Sequence, residues 1–314
     1  MLAKRLRQAG ILGMNRRNYE YVQRFNPRRL YPLVDDKIRT KQFCADTGVP
    51  TPETLFVVSQ LHEIGDLEAR LESEASFVVK PSRGSQGNGI LVATGRQGDE
   101  WTRSSGAAIT RDDLRFRVAE ILSGLYSLSG QPDRALVEEC LRVHPALARV
   151  VHGGVPDIRV IVFRRHPVMV MLRLPTRAAD GRANLHQGAV GVGLSLQDGR
   201  PLAAVCESRS IDRHPDTGAS LDEIEIPQFD DLIRIATRAG SESGLGYVGV
   251  DLVLDADRGP VILELNARPG LSIQIANAAG LDRRLRTLDE RVRESASIDD
   301  RIELSRRVEG ECSI

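Results

Sequence analysis

The chain of 314 residues has no uninterrupted apolar run near the roughly 18–20 residues that a membrane-spanning helix needs. Its first residues, Met1-Leu-Ala-Lys-Arg-Leu-Arg7, are basic but lack a following apolar stretch, so they do not read as a secretory signal. Cysteine is scarce. Cys44, Cys140, Cys206 and Cys312 are widely separated and form no C-x-x-C pair, which excludes the common zinc patterns and suggests reduced thiols in a cytoplasm. Net charge is missing too: 43 Lys plus Arg face 43 Asp plus Glu, so there is no bulk electrostatic case for nucleic acid. Lysine is rare beside arginine, which singles out the few lysines. Repeats and low-complexity tracts are absent. What remains, 41% apolar and 27% charged, is ordinary globular composition with room for one large or two modest domains.

Along the chain, residues 1–34 read as basic and irregular. Asp35 and Asp36 are N-cap acids for a helix running through Cys44 and stopping at Gly48. A strand is expected over 54–58, and Leu61, Ile64, Leu67 and Leu71 predict an amphipathic helix over 59–72. Strands follow at 77–80 and 90–93, a polar hairpin or loop at 95–110, and a helix at 111–124. Further strands are expected at 135–140, 157–163, 168–174 and 201–207, with a polar loop at 177–188. A helix at 228–243 precedes a hairpin, and the charged tail over 282–308 has helical spacing of Leu285, Leu288 and Val292. Helices and strands alternate without a βαβ rhythm, which predicts an α+β plan in two lobes.

The hairpin carries the sharpest chemistry. Glu264 and Asn266 leave the same face of Val261-Ile-Leu-Glu-Leu-Asn266, and Asp251 stands alone in the apolar run Tyr247–Asp255. If the turn Ala256-Asp-Arg-Gly259 is centred between Asp257 and Arg258, Asp251 falls opposite Glu264. A one-residue slip would send Asp251 to the wrong face. Two carboxylates that close, about 4.5–5.5 Å between Cβ atoms, need a cation or a shared proton. Carboxylate plus amide oxygens suit Mg²⁺, with phosphate completing its shell. The plain alternative is two solvated acids on an edge hairpin.

Lys80 ends an apolar strand and leads into Pro81-Ser-Arg-Gly-Ser-Gln-Gly-Asn-Gly89. A cation followed by glycines at 84, 87 and 89 suits phosphate oxygens, because glycine lets backbone N–H groups converge on an anion. The pattern is neither a Walker A loop nor G-x-G-x-x-G, and a merely flexible turn is the alternative. Lys37, taken alone, would be surface decoration. Adjacent acids in Leu136–Leu141, the acid and base of Asp157-Ile-Arg159 on one face, Arg173, and the loop Arg182–Gly188 are each weak signals. His186 reads as a loop histidine, and no nucleophile–base pair assembles.

Taken in order, Asp36-Lys37, Phe77–Pro81 with its glycine loop, Val137–Cys140, Asp157–Arg159, Arg182–His186, Gly249–Asp251 and Glu264–Gly270 resemble the ATP-grasp superfamily, in particular its RimK-like α-L-glutamate ligase branch. The resemblance spans residues 35 to about 275. It implies an α+β ATP-grasp fold whose two lobes sandwich ATP: a short basic segment 1–34, a first lobe 35–134, a second lobe 135–280 and a charged helical tail 281–314. A full-length domain ahead of the ATP-grasp region is not expected, since only residues 1–34 precede it. The longer 95–134 segment also resembles ATP-grasp proteins associated with sugar transfer and the cell envelope.

The resemblance further implies site roles. Lys37 and Lys80 would contact phosphates, and Gly84, Ser85, Gly87 and Gly89 would form the lid. Glu139 and Cys140 would be the hinge that reads adenine, and Asp157, Arg182, Ala183 and Asn184 would bind nucleotide. Asp251, Glu264 and Asn266 would hold a pair of Mg²⁺ ions, with Mn²⁺ as an alternative. Arg173 and Arg268 would hold the transferring phosphoryl group or a substrate carboxylate. The implied activity is ATP-dependent carboxylate–amine ligation through an acylphosphate, with a small-molecule carboxylate and an amine on a small molecule, peptide or protein. A phosphotransferase, or a non-catalytic nucleotide-binding partner of an envelope-associated complex, are the alternatives. No nucleic-acid partner is expected, and a homo-oligomer is compatible with the sequence.

Overall fold

The computed structural model describes residues 5–6, 8–84, 87–98, 100–127, 130–179, 181–293 and 296–312. The chain forms two compact units. The smaller comprises Asp35–Lys41 and Pro52–Leu141; the larger comprises Met1–Val34, Gln42–Thr51 and Arg142–Ile314.

In the smaller unit an antiparallel sheet runs in the order Thr54–Val58, Ala135–Glu139, Phe77–Pro81, Leu91–Ala93. Helix Arg111–Leu122 starts at a capping box between Thr110 and Asp113 and buries Leu114, Val118 and Ile121, a one-face spacing, in the same core as Phe77 and Val79. The expected polar hairpin is a three-stranded sheet of Gly95–Gln97, Glu100–Thr102 and Ala108–Ile109. Its Trp101 packs edge-on to Phe77, with ring centroids 5.3 Å apart, and donates to the Glu74 carbonyl at 2.9 Å. Instead of an α-helix over 59–72, the chain forms a 3₁₀ helix Leu61–Asp66 and one α turn, Leu67–Arg70. Gly65 in its middle weakens α propensity.

The larger unit is built on a seven-stranded antiparallel sheet, in the order Arg209–Ser210, Pro201–Cys206, Val190–Leu194, His166–Leu174, Asp157–Phe163, Tyr247–Asp255, Gly259–Asn266. Strands Asp157–Phe163 and Tyr247–Asp255 are buried throughout, because both faces are covered. Even-numbered residues such as Ile158, Val160, Val248 and Val250 share a core with helix Phe229–Glu242. Odd-numbered Ile161, Phe163 and Tyr247 face Tyr21, Val22 and Leu285 from the two ends of the chain. Among the remaining odd positions of these strands, Asp157, Arg159, Asp251 and Asp255 carry charge.

Three expectations change here. Residues 1–34 are not irregular: Met14–Arg16, a π-helical turn Arg17–Val22, Gln23–Phe25, Arg28–Leu30 and Tyr31–Asp35 are all helical. Apolar Leu12, Tyr21 and Val22 are buried, so tertiary packing orders a segment that lacks a regular period. Strand Val190–Leu194 was masked in the sequence by its glycines. A Cβ on Gly193 would lie 2.4 Å from the Ala276 carbonyl, so a backbone-to-strand contact requires glycine there. Strand Ala135–Glu139, placed by sequence in the second lobe, pairs with Thr54–Val58 and Phe77–Pro81 in the smaller unit, and the tail, as helices Leu281–Arg291 and Ile298–Cys312, belongs to the larger unit. No helix among the described residues is long and apolar enough to cross a membrane.

Candidate functional site

In the smaller unit the strand Phe77–Pro81 delivers Lys80 to a buried carboxylate. Lys80 Nζ pairs with Glu138 Oε2, and Lys41 Nζ reaches Glu138 Oε1 at 2.6 Å and the Pro52 carbonyl. Lys80 pairs with Leu136 and Val78 with Glu138, so Lys80 and Glu138 are diagonal neighbours on one face and the sheet register sets this contact. Burial would raise the Glu138 carboxyl, but Lys80 and Lys41 outweigh it and hold it below the ordinary value. Burial likewise lowers Lys41.

The helix Lys37–Asp46 begins one residue after Asp36, whose Oδ1 accepts from Ile38 N at 3.1 Å and from Ser82 Oγ. Arg134 donates to Asp36 Oδ2 at 2.7 Å, and Lys37 Nζ donates to the Gly84 carbonyl at 2.6 Å. Lys37, Lys80, Arg83 and Arg134 therefore gather where the glycine loop departs, the electrostatics an anion needs. Gly84 is required by contact, since a Cβ there would sit 2.3 Å from Pro81 Cγ, and Gly87 and Gly89 have positive φ. Ser85 lies outside the described residues. Glu139 accepts from Glu53 N through Oε1, and Cys140 Sγ lies 3.9 Å from the Leu141 carbonyl.

In the larger unit a row of charges crosses four strands. Asp157 is opposite Arg173, Asp251 is opposite Arg159 on one side and Glu264 on the other. Arg173 Nη2 donates to Asp157 Oδ2 and to Asp251 Oδ2, both at 2.7 Å; Arg159 Nε donates to Asp251 Oδ1 at 2.7 Å. Asp251 is 1% exposed. Burial would raise its pKa, but Arg159 and Arg173 hold the carboxyl well below the usual range. Burial pushes Asp157 up to about 7 against the pull of Arg173, with the Asp251 charge adding to the rise. Three acids thus face two guanidinium groups, and the surplus negative charge favours a proton or a cation.

The donor chemistry fits a hard divalent ion held together with phosphate. Glu264 and Asn266 are half-buried at the open end of the row, and Asn266 Oδ1 accepts the Arg268 N–H at 2.9 Å with one of its two lone pairs. Among the described residues no group of three His, Cys, Asp or Glu is arranged to hold a metal alone, so an amide and phosphate oxygens would have to complete the shell.

Other expected residues stand apart from the row. Arg268 places its guanidinium over the Tyr31 ring, 5.1 Å from the centroid. Arg182, Ala183 and Asn184 lie in a loop where Asn184 caps the short helix Leu185–Gln187 and Thr176 Oγ1 donates to the Gly188 carbonyl at 2.9 Å. Sequence reasoning passed over Lys41 and gave no role to Glu138 or Arg159, although both lay within motifs it singled out. Signals existed: Lys41 follows Lys37 by one helical turn, and Arg159 shares a strand face with Asp157.

A probable alpha-L-glutamate ligase of Serratia proteamaculans is 28% identical over 247 residues, covering 79% of this chain and 60% of the relative. The ribosomal protein bS6–L-glutamate ligase of Salmonella paratyphi B gives 28%, 79% and 60%. The chain spans about three fifths of the length of the curated relatives it matches. A solved D-cycloserine synthetase aligns with TM-score 0.47 at 18% identity, covering 85% of this chain and 73% of its own. The model of the sugar-transfer associated ATP-grasp family matches residues 16–290, and the chain belongs to that family.

Proposed function

We propose that this chain is an ATP- and Mg²⁺-dependent carboxylate–amine ligase working through an acylphosphate. The reading rests chiefly on the row Arg173, Asp157, Arg159, Asp251, Glu264, supported by the Lys80–Glu138 pair and by family membership. A carboxylate is a poor acyl donor because its leaving group would be oxide. One carboxylate oxygen therefore attacks the γ-phosphorus and ADP leaves; the amine nitrogen then attacks the acyl carbon, expels phosphate and loses a proton. Positioning and charge neutralisation are the main tasks, and no side-chain nucleophile is needed.

Lys80 and Lys37 attract the phosphates; as Lys80 turns to them, Lys41 remains to neutralise Glu138. Gly84, Gly87 and Gly89 allow backbone N–H groups to approach phosphate. The backbone of Glu139 and Cys140 reads adenine, and Arg182, Ala183 and Asn184 touch the nucleotide. Asp157 binds the nucleotide and, engaged with Arg173, orients that guanidinium. Arg173 and Arg268 hold the transferring phosphoryl group or the substrate carboxylate. Asp251, Glu264 and Asn266 would hold magnesium, which supplies charge neutralisation at the phosphates.

Glutamate is the first donor to test, because relatives carry that activity in their names. ADP release is screened across amino acids and amine acceptors, with products weighed by mass spectrometry. The expected product is an amide formed with loss of water. A stable phosphate ester would instead make the chain a phosphotransferase, and nucleotide binding without turnover on any pair would make it a binding partner.

A further inference from the structure

The loop 266–270 that carries Arg268 is held by residues from the beginning of the chain. Arg17 opens the π-helical turn Arg17–Val22 and is only 8% exposed. Its Nη1 donates to the Pro269 carbonyl at 2.6 Å and to the Arg268 carbonyl at 3.3 Å. Its Nε and Nη2 both donate to Asn18 Oδ1, at 3.0 and 2.7 Å. Asn26 Nδ2 donates to the Ala267 carbonyl at 3.1 Å and to the Tyr247 carbonyl at 2.7 Å, while its Oδ1 accepts from Tyr247 N at 2.8 Å. Three consecutive loop carbonyls are thus captured, and the Arg268 guanidinium rests on Tyr31.

This seat is tight. Gly246 N donates to the Phe25 carbonyl at 3.0 Å, and a Cβ on Gly246 would lie 2.7 Å from Phe25 Cβ. Arg17 is also costly: among the described residues no carboxylate pairs with it, and it stands close enough to Arg268 for the two charges to repel. A buried cation facing only carbonyl and amide oxygens is a poor choice for packing alone. Its planar fork fixes direction, which packing does not, and its charge makes the loop more attractive to an anion. π turns of this kind recur at functional sites.

We propose that Arg17, with Asn26 and Tyr31, is a positioning element that fixes the 266–270 loop and aims the Arg268 guanidinium at an anionic oxygen, a substrate carboxylate or the transferring phosphoryl group. It rests on the role of Arg268 proposed above.

The test uses the full chain and compares Arg17→Met, Arg17→Lys, Tyr31→Leu and Arg268→Ala. Hydrogen–deuterium exchange of the loop amides, magnesium–ADP binding and ATP turnover are measured on each. In Arg17→Met, loop exchange is expected to rise about tenfold or more, since the captured carbonyls are released. Turnover is expected to fall about a hundredfold through misplacement of Arg268. Magnesium–ADP affinity should change less than about threefold, because the loss falls on the transition state. Tyr31→Leu should lower turnover with loop exchange near wild type. If Arg17→Met does not fold, Arg17→Lys carries the same test, keeping the charge while losing the fork. Unchanged loop exchange, or faster exchange with unchanged turnover, overturns the proposal. Full turnover in Arg268→Ala would instead refute the role given to Arg268, while the exchange result still decides whether Arg17 holds the loop.

Discussion

Glu138 shares one buried carboxylate between two lysines, Lys80 at Oε2 and Lys41 at Oε1, with only 2% of the residue exposed. Removing the anion leaves two ammonium groups uncompensated, whereas removing Lys41 leaves one balanced pair. Glu138→Gln is expected to cost about 3–5 kcal/mol, the range for breaking a buried pair. Lys41→Met should cost about 1–3 kcal/mol, the loss of a charged hydrogen bond. Urea unfolding of both variants checks the order; equal costs would contradict the shared-carboxylate geometry.

The same residue gives a pH dependence with a definite sign. Its folded carboxyl lies below the ordinary 4.5, so the unfolded chain binds the proton more readily. Stability from Glu138 is therefore fully present above the ordinary value and is lost as pH falls through the folded one. Thermal unfolding from pH 6 down to pH 3 should show a shallower acid limb in Glu138→Gln than in wild type. Parallel limbs would remove Glu138 from the account.

The two acids of the hairpin should separate function from folding. Glu264 is half-buried at the open end of the row, so Glu264→Gln is expected to abolish ATP turnover with a stability change within about 1 kcal/mol. Asp251 holds two guanidinium groups at 1% exposure, and Asp251→Asn should lose turnover and about 3–5 kcal/mol together. Turnover assays beside unfolding curves measure both. Near-normal turnover in Glu264→Gln would sink the metal-site assignment.

This hairpin also measures how far the sequence could be read. Asp251 does face Glu264, but not through the even turn that spacing suggested. The strands close with Asp255 opposite Gly259, an odd turn, and a bulge that leaves Leu263 without a partner restores the register. Period-two alternation revealed which residues share a face; it could not reveal two compensating irregularities. Strand patterning placed Lys80, Asp157, Arg173, Asp251 and Glu264 on strands, as the structure has them, because strand side chains follow from position alone. Arg17, Asn26 and Lys41 act through contacts with residues 252, 221 or 97 positions away, which no local pattern encodes.

Gly193 tests whether the missed strand is held by backbone contact. An added Cβ would meet the Ala276 carbonyl at 2.4 Å and Asn277 Cα at 2.6 Å, with no flexible side-chain end to move aside. Gly193→Ala is expected to cost about 1–3 kcal/mol, the usual range for overpacking. A melting temperature equal to wild type would show that helix Ser272–Ala276 can shift off the strand.

Lys80→Arg is the sharpest test of the phosphate end. The chain has only four lysines, and Lys37, Lys41 and Lys80 all fall in the smaller unit around Glu138 and the glycine loop. Everywhere else in the described ion pairs the cation is arginine. A guanidinium is planar, wider and fixed in its fork, whereas an ammonium is compact and can rotate from one acceptor to another. Lys80 is 7% exposed beside a carboxylate already shared with Lys41, so the wider group has no room to make that exchange. Lys80→Arg, though it keeps the charge, should therefore lose ATP turnover about as fully as Lys80→Ala, roughly a hundredfold or more. If charge alone sufficed, Lys80→Arg would retain most of the wild-type rate, and the ammonium would have no special role in receiving the phosphates.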